Sequence, residues 1–243
     1  MLTIYDKVDE KLVLLSSKKI KFSKNLIKYE DTKLYDMYDH NYFHFNDSVT
    51  IQELMAAQIY QKNKKLDFLK LYSEYRLNSK FVKIMGLKEN VYLTMQFNGN
   101  INKIKNNDKV IIKPINLKDL NAIELKHYGK VYGEDFVSRR NKAFIKLAKE
   151  DNGFNYYGAY INDKLVGACH TYTYKGYTCF DSLIVDNRYR HRYIASTIIK
   201  YIIINSKRTM LHADYDDTPK LMYKKMGFKI VCTNYEYFKK VTI

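Results

Sequence analysis

The sequence predicts an α/β protein in which helices pack on a mixed sheet. Three observations lead there. The stretch from Phe180 to Ile203, FDSLIVDNRYRHRYIASTIIKYII, reads as a buried strand, a short basic loop and an apolar helix. Around it, the second half of the chain mixes strands and helices in an order that reads as a mixed sheet with helices packed on it. Finally, Met85-Gly86-Leu87-Lys88 is echoed by Met226-Gly227-Phe228-Lys229. In both places a strand and a short helix precede and a Tyr-containing strand follows (Tyr92; Tyr235), which points to two related lobes.

The elements follow in order from local signals. Lys11 to Ser17 and Asn25 to Tyr29 read as strands. Asp47 or Ser48 caps a helix running to about Asn63, with Ile51, Leu54, Met55 and Ile59 on one face. Leu66 to Tyr72 is a strand. A short helix from Lys80 to Met85 ends at Gly86, which suits a left-handed C-cap. Val91 to Phe97 is a further strand. Asn98 to Lys109, NGNINKIKNNDK, is polar with few apolar anchors and reads as a linker. Val110 to Ile115 is a strand, and Pro114 near its end calls for an edge position. Asn116 or Asp119 caps a helix to about Tyr128, and Phe136 to Lys149 forms a second. Asn155 to Ile161 and Lys164 to Tyr174 pair around Asn162-Asp163, a good hairpin turn. After the helix that ends near Asn205 come a strand from Met210 to Tyr215, a helix from Thr218 to Met226 and a last strand pair.

Composition narrows the function classes. With 243 residues and 46% apolar content, the chain holds one large domain or two small ones and is not disordered. No apolar run reaches a membrane span; Ile194 to Ile204 is too short and contains Lys200. The N-terminus lacks a signal layout. Cys169, Cys179 and Cys232 are odd in number and form no close pairs, which argues against disulfides and zinc and for a reducing cytoplasm. The formal charge of +16 is mostly dispersed lysine, so it favours solubility over nucleic-acid binding. His40 and His44, near Asp36 and Asp39, have no HExxH-type context and read as a half-buried polar strand end, with no metal.

The arginines are scarcer, and Arg188, Arg190 and Arg192 crowd together where the strand feeds the helix. Unpaired N–H groups and the helix dipole converge there, a natural anion site. Ile194, Ile198, Ile199 and Ile202 give the helix one apolar stripe.

Residues 110–240 resemble the GNAT superfamily of N-acetyltransferases. NYYGAYINDKLVGAC, Asn155 to Cys169, is similar to the family's central hairpin. LIVDNRYRHRYIA resembles its most diagnostic segment, an apolar strand ending in Val, an acidic turn, then Arg/Gln-x-x-Gly-x-Gly/Ala, with Arg190 in the first place and Ala195 in the last. KLMYKKMGF, Lys220 to Phe228, is similar to the signature Leu-Tyr-x-x-x-Gly-Phe. Tyr193 stands where the family has the first loop glycine; it donates its N–H if φ stays negative, and it narrows the loop. Asp216 and Pro219 stand where the family often has Asn and Ala.

The resemblance implies a GNAT-like fold, a mixed, mostly antiparallel sheet with helices on both faces, preceded by a smaller related α/β lobe. The expected partition is a degenerate lobe at 1–100, a linker at 101–109 and a catalytic domain at 110–243. Acetyl-CoA is implied as co-substrate, without a metal. Its carrier would meet Leu183, Ile184, Val185, Arg190, His191, Arg192, Tyr193, Ile194, Ala195 and Ser196. The pantetheine arm would add like a strand to the edge ending at Val185. Asp181, four residues before Val185 and so on the same strand face, is the expected base, directly or through water. His170 and His212 are weaker alternatives. Tyr223 takes the family's general-acid position. The expected partners are acetyl-CoA and a small primary amine of amino-acid or amino-sugar type, in a cytoplasmic monomer or homodimer. Acetylation of a protein N-terminus or lysine, and non-catalytic binding of acyl-CoA or nucleic acid, are the alternative readings.

Overall fold

The computed structural model of the chain describes residues 3–242. In chain order its elements are α1 Ile4–Val13, β1 Lys18–Lys21, β2 Leu26–Glu30, β3 Phe43–Phe45, α2 Ile51–Asn63, β4 Phe68–Ser73, α3 Ser79–Met85, β5 Lys88–Phe97, β6 Ile111–Pro114, α4 Leu117–Tyr132, α5 Glu134–Glu150, β7 Phe154–Ile161, β8 Lys164–Tyr174, β9 Tyr177–Val185, α6 Ile194–Ile204, β10 Arg208–Asp214, α7 Pro219–Met226 and β11 Phe228–Lys240. Two compact units draw on separate stretches of the chain. The larger takes the described residues up to Leu12, Met95–Leu211 and Leu221–Lys229; the smaller takes Val13–Thr94, His212–Lys220 and the chain from Ile230 onward. This differs from a division into 1–100, a linker and 110–243. The boundaries fall inside α1, β5, β10, α7 and β11, so hydrogen-bonded elements, not a polar tether, carry the chain across them.

In the larger unit the strand order is β10-β9-β8-β7-β6, with β9 and β10 parallel and the others antiparallel. The β7–β8 hairpin turns on Asn162 (φ +47°) and Asp163 (φ +58°), the two left-handed residues that a tight hairpin turn needs. Pro114 lies on β6, the edge strand, where its missing N–H costs no ladder bond. Helices cover both faces. Phe144 of α5 packs on Tyr156 and His170, which are cross-strand partners and share a face. Tyr201 of α6 packs on Tyr157, on the opposite face, and a Cβ on Gly167 would meet Ile198 and Ile194. The predicted stripe of α6 is buried: Ile194, Ile198, Ile199 and Ile202.

Two expectations in the larger unit give way. Residues from Lys11 are not a strand; α1 reaches Val13. Thr3 and Asp6 start it reciprocally: Asp6 N–H donates to Thr3 Oγ1 (3.2 Å) and Thr3 N–H to Asp6 Oδ2 (2.9 Å). Tyr5 then packs edge-on against Tyr177 (5.8 Å) and its hydroxyl donates to Gln96 Oε1 (2.8 Å). Nor is 98–109 a free linker. Lys200 Nζ donates to Asn106 Oδ1 (2.9 Å), and Asn107 is bonded to the start of α6. Asparagine-rich sequence reads as solvated until acceptors supplied from ninety residues away are in view.

The smaller unit orders its strands β1-β2-β3-β4-β11-β5, with β3 and β4 parallel. Leu26, Phe43, Phe45, Leu54, Leu71 and Tyr237 form its core. His40 Nδ1 lies 3.4 Å from Asp31 Oδ2, whereas His44 Nε2 lies 3.0 Å from Glu74 Oε2. The two histidines thus engage different carboxylates. The four-residue echo marks a shared path: β3-α2-β4-α3-β5 and β9-α6-β10-α7-β11 each run strand, helix, parallel neighbour, helix, strand. Each second helix is followed by a left-handed glycine, Gly86 (φ +61°) or Gly227 (φ +104°).

Among the described residues no helix is long and apolar enough to cross a membrane.

Candidate functional site

In the larger unit β9 pairs in parallel with β10 only from Tyr177↔Arg208 to Phe180↔Leu211. On its other side it stays paired with β8 as far as Val185↔Gly167. Residues 181–185 therefore present one edge with no ladder partner from β10 among the described residues, an opening for an extended amide chain. A bulge lies beside it: His170 faces Asp181 but Ala168 faces Ile184, so β9 carries one extra residue. Ser182 takes up the kink at φ +52°, and its N–H donates to Asp181 Oδ1 (2.5 Å). The extra residue breaks the alternation between Asp181 and Val185, which corrects the expectation that they share a face. Asp181 is exposed.

Beyond β9, Asp186 closes a short turn. Its carboxylate accepts from Arg188 N–H (3.0 Å), Arg188 Nε (3.2 Å) and Nη2 (2.9 Å), and from Lys126 Nζ (2.8 Å). Arg188 first, then Lys126, holds this carboxyl well below the usual carboxylate range. Arg188 is thus paired internally, and the open cations of the loop are Arg190 and Arg192, both exposed.

Tyr193 precedes α6 in the left-handed region (φ +59°, ψ +19°), and His191 does the same (φ +61°). The condition of negative φ at Tyr193 is not met: the backbone takes the shape a glycine would take, with a phenol attached. Tyr193 is 50% exposed, so its ring lies outward and leaves the turn open. No side chain caps α6. Among the described residues no acceptor meets the N–H groups of His191 to Ser196, while Ser196 Oγ (3.0 Å) and Thr197 Oγ1 (2.7 Å) donate to Tyr193 O. Free donors, helix dipole and two arginines together fit a diphosphate. The matching helix of the smaller unit is closed: Thr50 and Glu53 form a capping box, with Glu53 N–H donating to Thr50 Oγ1 (3.3 Å) and Thr50 N–H to Glu53 Oε2 (3.0 Å). A carboxylate already occupies that helix start.

On the α4–α5 face, Tyr156, His170 and Asp181 stand side by side on β7, β8 and β9. Glu124 of α4 is fully buried above them; it accepts from the Tyr156 hydroxyl (2.5 Å) and pairs with Arg140. Burial pushes the Glu124 carboxyl up, Arg140 and Tyr156 pull it down, and burial prevails. His170 is ringed by Phe144, Phe154 and Tyr156, whose ring centres each lie 5.4 Å from its own. Tyr223 of α7 is buried between Phe180 (6.1 Å) and Phe228 (5.9 Å).

Residues 152–230 match the acetyltransferase (GNAT) domain. That stretch is a GNAT domain. The likeness in fold extends over nearly the whole chain. A functionally unknown conserved protein from Staphylococcus epidermidis shares 17% identity at a TM-score of 0.80, covering 99% of this chain and 98% of that one. A GCN5-related N-acetyltransferase from Kribbella flavida shares 10% at a TM-score of 0.68, covering 97% and 94%. A tandem GNAT protein from the clavulanic acid biosynthesis pathway shares 8% at a TM-score of 0.57, covering 97% and 88%. Among curated proteins none matches.

Within the GNAT domain, Leu183, Ile184 and Val185 lie on the open stretch of β9, and Arg190 to Ser196 form the loop and first turn of α6. Tyr223 and Asp181 belong to the same unit. His212 belongs to the smaller unit, where its Nδ1 lies 3.2 Å from Thr94 Oγ1. Sequence reasoning missed Glu124, Arg140 and Tyr156, since nothing in a helical glutamate announces the tyrosine it meets 32 residues on. It missed Asn107 for the same reason.

Proposed function

We propose that the chain is an acetyl-CoA-dependent N-acetyltransferase whose acceptor is a small-molecule primary amine of amino-acid or amino-sugar type. One observation carries this reading: the uncapped, cation-flanked start of α6 adjoins the unpaired edge of β9. The N–H groups of His191 to Ser196, with Arg190 and Arg192, would hold the diphosphate. The backbone of 183–185 would receive the amide arm as an added strand. The acceptor nitrogen attacks the thioester carbonyl; a C–N bond forms and the C–S bond breaks. Asp181, exposed beside the kink, takes the ammonium proton directly or through water. Tyr223 returns a proton to the departing thiolate. The row of Tyr156, His170 and Asp181 beneath Glu124 would line the acceptor side, where the carboxylate of Asp181 suits a cationic amine.

Release of free thiol from acetyl-CoA across a panel of amines tests the proposal. Acceleration by small amines is the expected result. Thiol release that no amine or peptide accelerates, in a protein that binds coenzyme A, would leave a non-catalytic binder in its place.

A further inference from the structure

Resting on that reading, we propose that Lys105 to Asn107 is a strap that holds the phosphate turn in its left-handed form and so does the work of the missing glycine. Left-handed φ at tyrosine and histidine is unfavourable, and such residues persist where their surroundings over-determine them. His191 and Tyr193 are two such residues within three positions. The strap supplies the constraint. Asn107 Nδ2 donates to Arg192 O (3.0 Å). Asn107 N–H donates to Thr197 Oγ1 (2.8 Å), whose own proton goes to Tyr193 O (2.7 Å). Two successive carbonyls of the turn are thereby tied back by one asparagine, which leaves the N–H groups on the other side of each peptide facing outward.

The flanking residues anchor the strap. Lys200 Nζ, on α6, donates to Asn106 Oδ1 (2.9 Å). Asn107 Oδ1 accepts from Lys109 N–H (3.1 Å), which orients the carboxamide so that its NH2 group meets Arg192. Lys105 Nζ sits 5.7 Å from the centre of the Tyr193 ring, near enough for a cation–π contact that draws the phenol away from the turn and adds a cation beside it. A glycine in place of Tyr193 would adopt the same backbone freely and need none of this.

The test uses the full chain and coenzyme A as probe. Dissociation constants by calorimetry are compared for the parent protein, Asn107→Ala, Tyr193→Gly and the double variant. In the ligand-free proteins, amide exchange is followed at Thr197, whose N–H donates to Tyr193 O (2.9 Å). Loss of the tie predicts about tenfold weaker binding and about tenfold faster exchange for Asn107→Ala. The double variant should match Tyr193→Gly within about twofold, a rescue that general destabilisation would not produce. If the parent binds and Asn107→Ala changes neither quantity, the strap falls and the acetyltransferase reading stands. A double variant as weak as Asn107→Ala also overturns it. If the parent does not bind coenzyme A, the functional reading falls, and exchange at Thr197 alone decides whether the strap holds the turn. Should Asn107→Ala fail to fold, Asn107→Leu removes the donor to Arg192 O with a side chain of similar shape and no added charge, with the same outcomes expected.

Discussion

Replacing Lys28 with methionine should stabilise the protein below neutral pH and do much less in alkali. Lys28 lies on β2 and is 0% exposed. Its Nζ is 4.8 Å from the centre of the Phe43 ring, and no hydrogen-bond partner meets it among the described residues. Burial is the main cause that lowers its pKa to about 7; Glu30 opposes the shift and Lys64 adds to it. The unfolded chain has its lysines near 10.5. Between those values the unfolded state holds a proton that the folded state has released, so stability rises with pH across that window. Below about 7 both states are protonated and the whole penalty applies. At about 1.4 kcal/mol per tenfold displacement of the equilibrium, it is on the order of 5 kcal/mol. Methionine matches the length and volume of the side chain and carries no charge. Urea unfolding near pH 6 should show Lys28→Met more stable by several kcal/mol, and near pH 10.5 the gain should be mostly gone. A variant less stable than the parent near pH 6, or a gain of equal size at both pH values, would refute the argument.

Glycine substitutions at the two echo positions should part company. Gly86→Ala meets open space and suffers only left-handed strain, about 1 kcal/mol, whereas Gly227→Ala puts a Cβ 2.7 Å from Gly99 Cα and should cost several times more by thermal unfolding. Tyr223→Phe should lower turnover with coenzyme A affinity nearly constant, and unchanged turnover rules out the acid role. Arg190→Ala with Arg192→Ala should raise the coenzyme A dissociation constant about tenfold and flatten its salt dependence. Arg188→Ala should change that constant less than about twofold, because Asp186 already pairs with Arg188; equal effects from all three arginines would contradict this division.

The chain's local patterns were sufficient for most elements. The isoleucine stripe, the Asn162-Asp163 turn and the glycine after each short helix depend on neighbours in sequence, so one stretch at a time could be read. The reading failed at α1: apolar residues after Lys11 read as strand, and the Thr3 and Asp6 pair that starts the helix is a contact seen only in the structure. The four matching residues at Met85 and Met226 lie in two runs of the chain that share an order of five elements.

Sequence by itself determined which helix start is basic and which strand leads to it. Only tertiary structure decided that Arg188 is committed to Asp186, that a bulge at Ser182 breaks the parity of Asp181 with Val185, and that Tyr193 adopts a glycine's conformation. It also decided that an asparagine-rich stretch grips α6. The physical reason is common to all four. Pairing, bulging and backbone strain are settled by what stands opposite in space, and a residue's sequence neighbours carry no record of that.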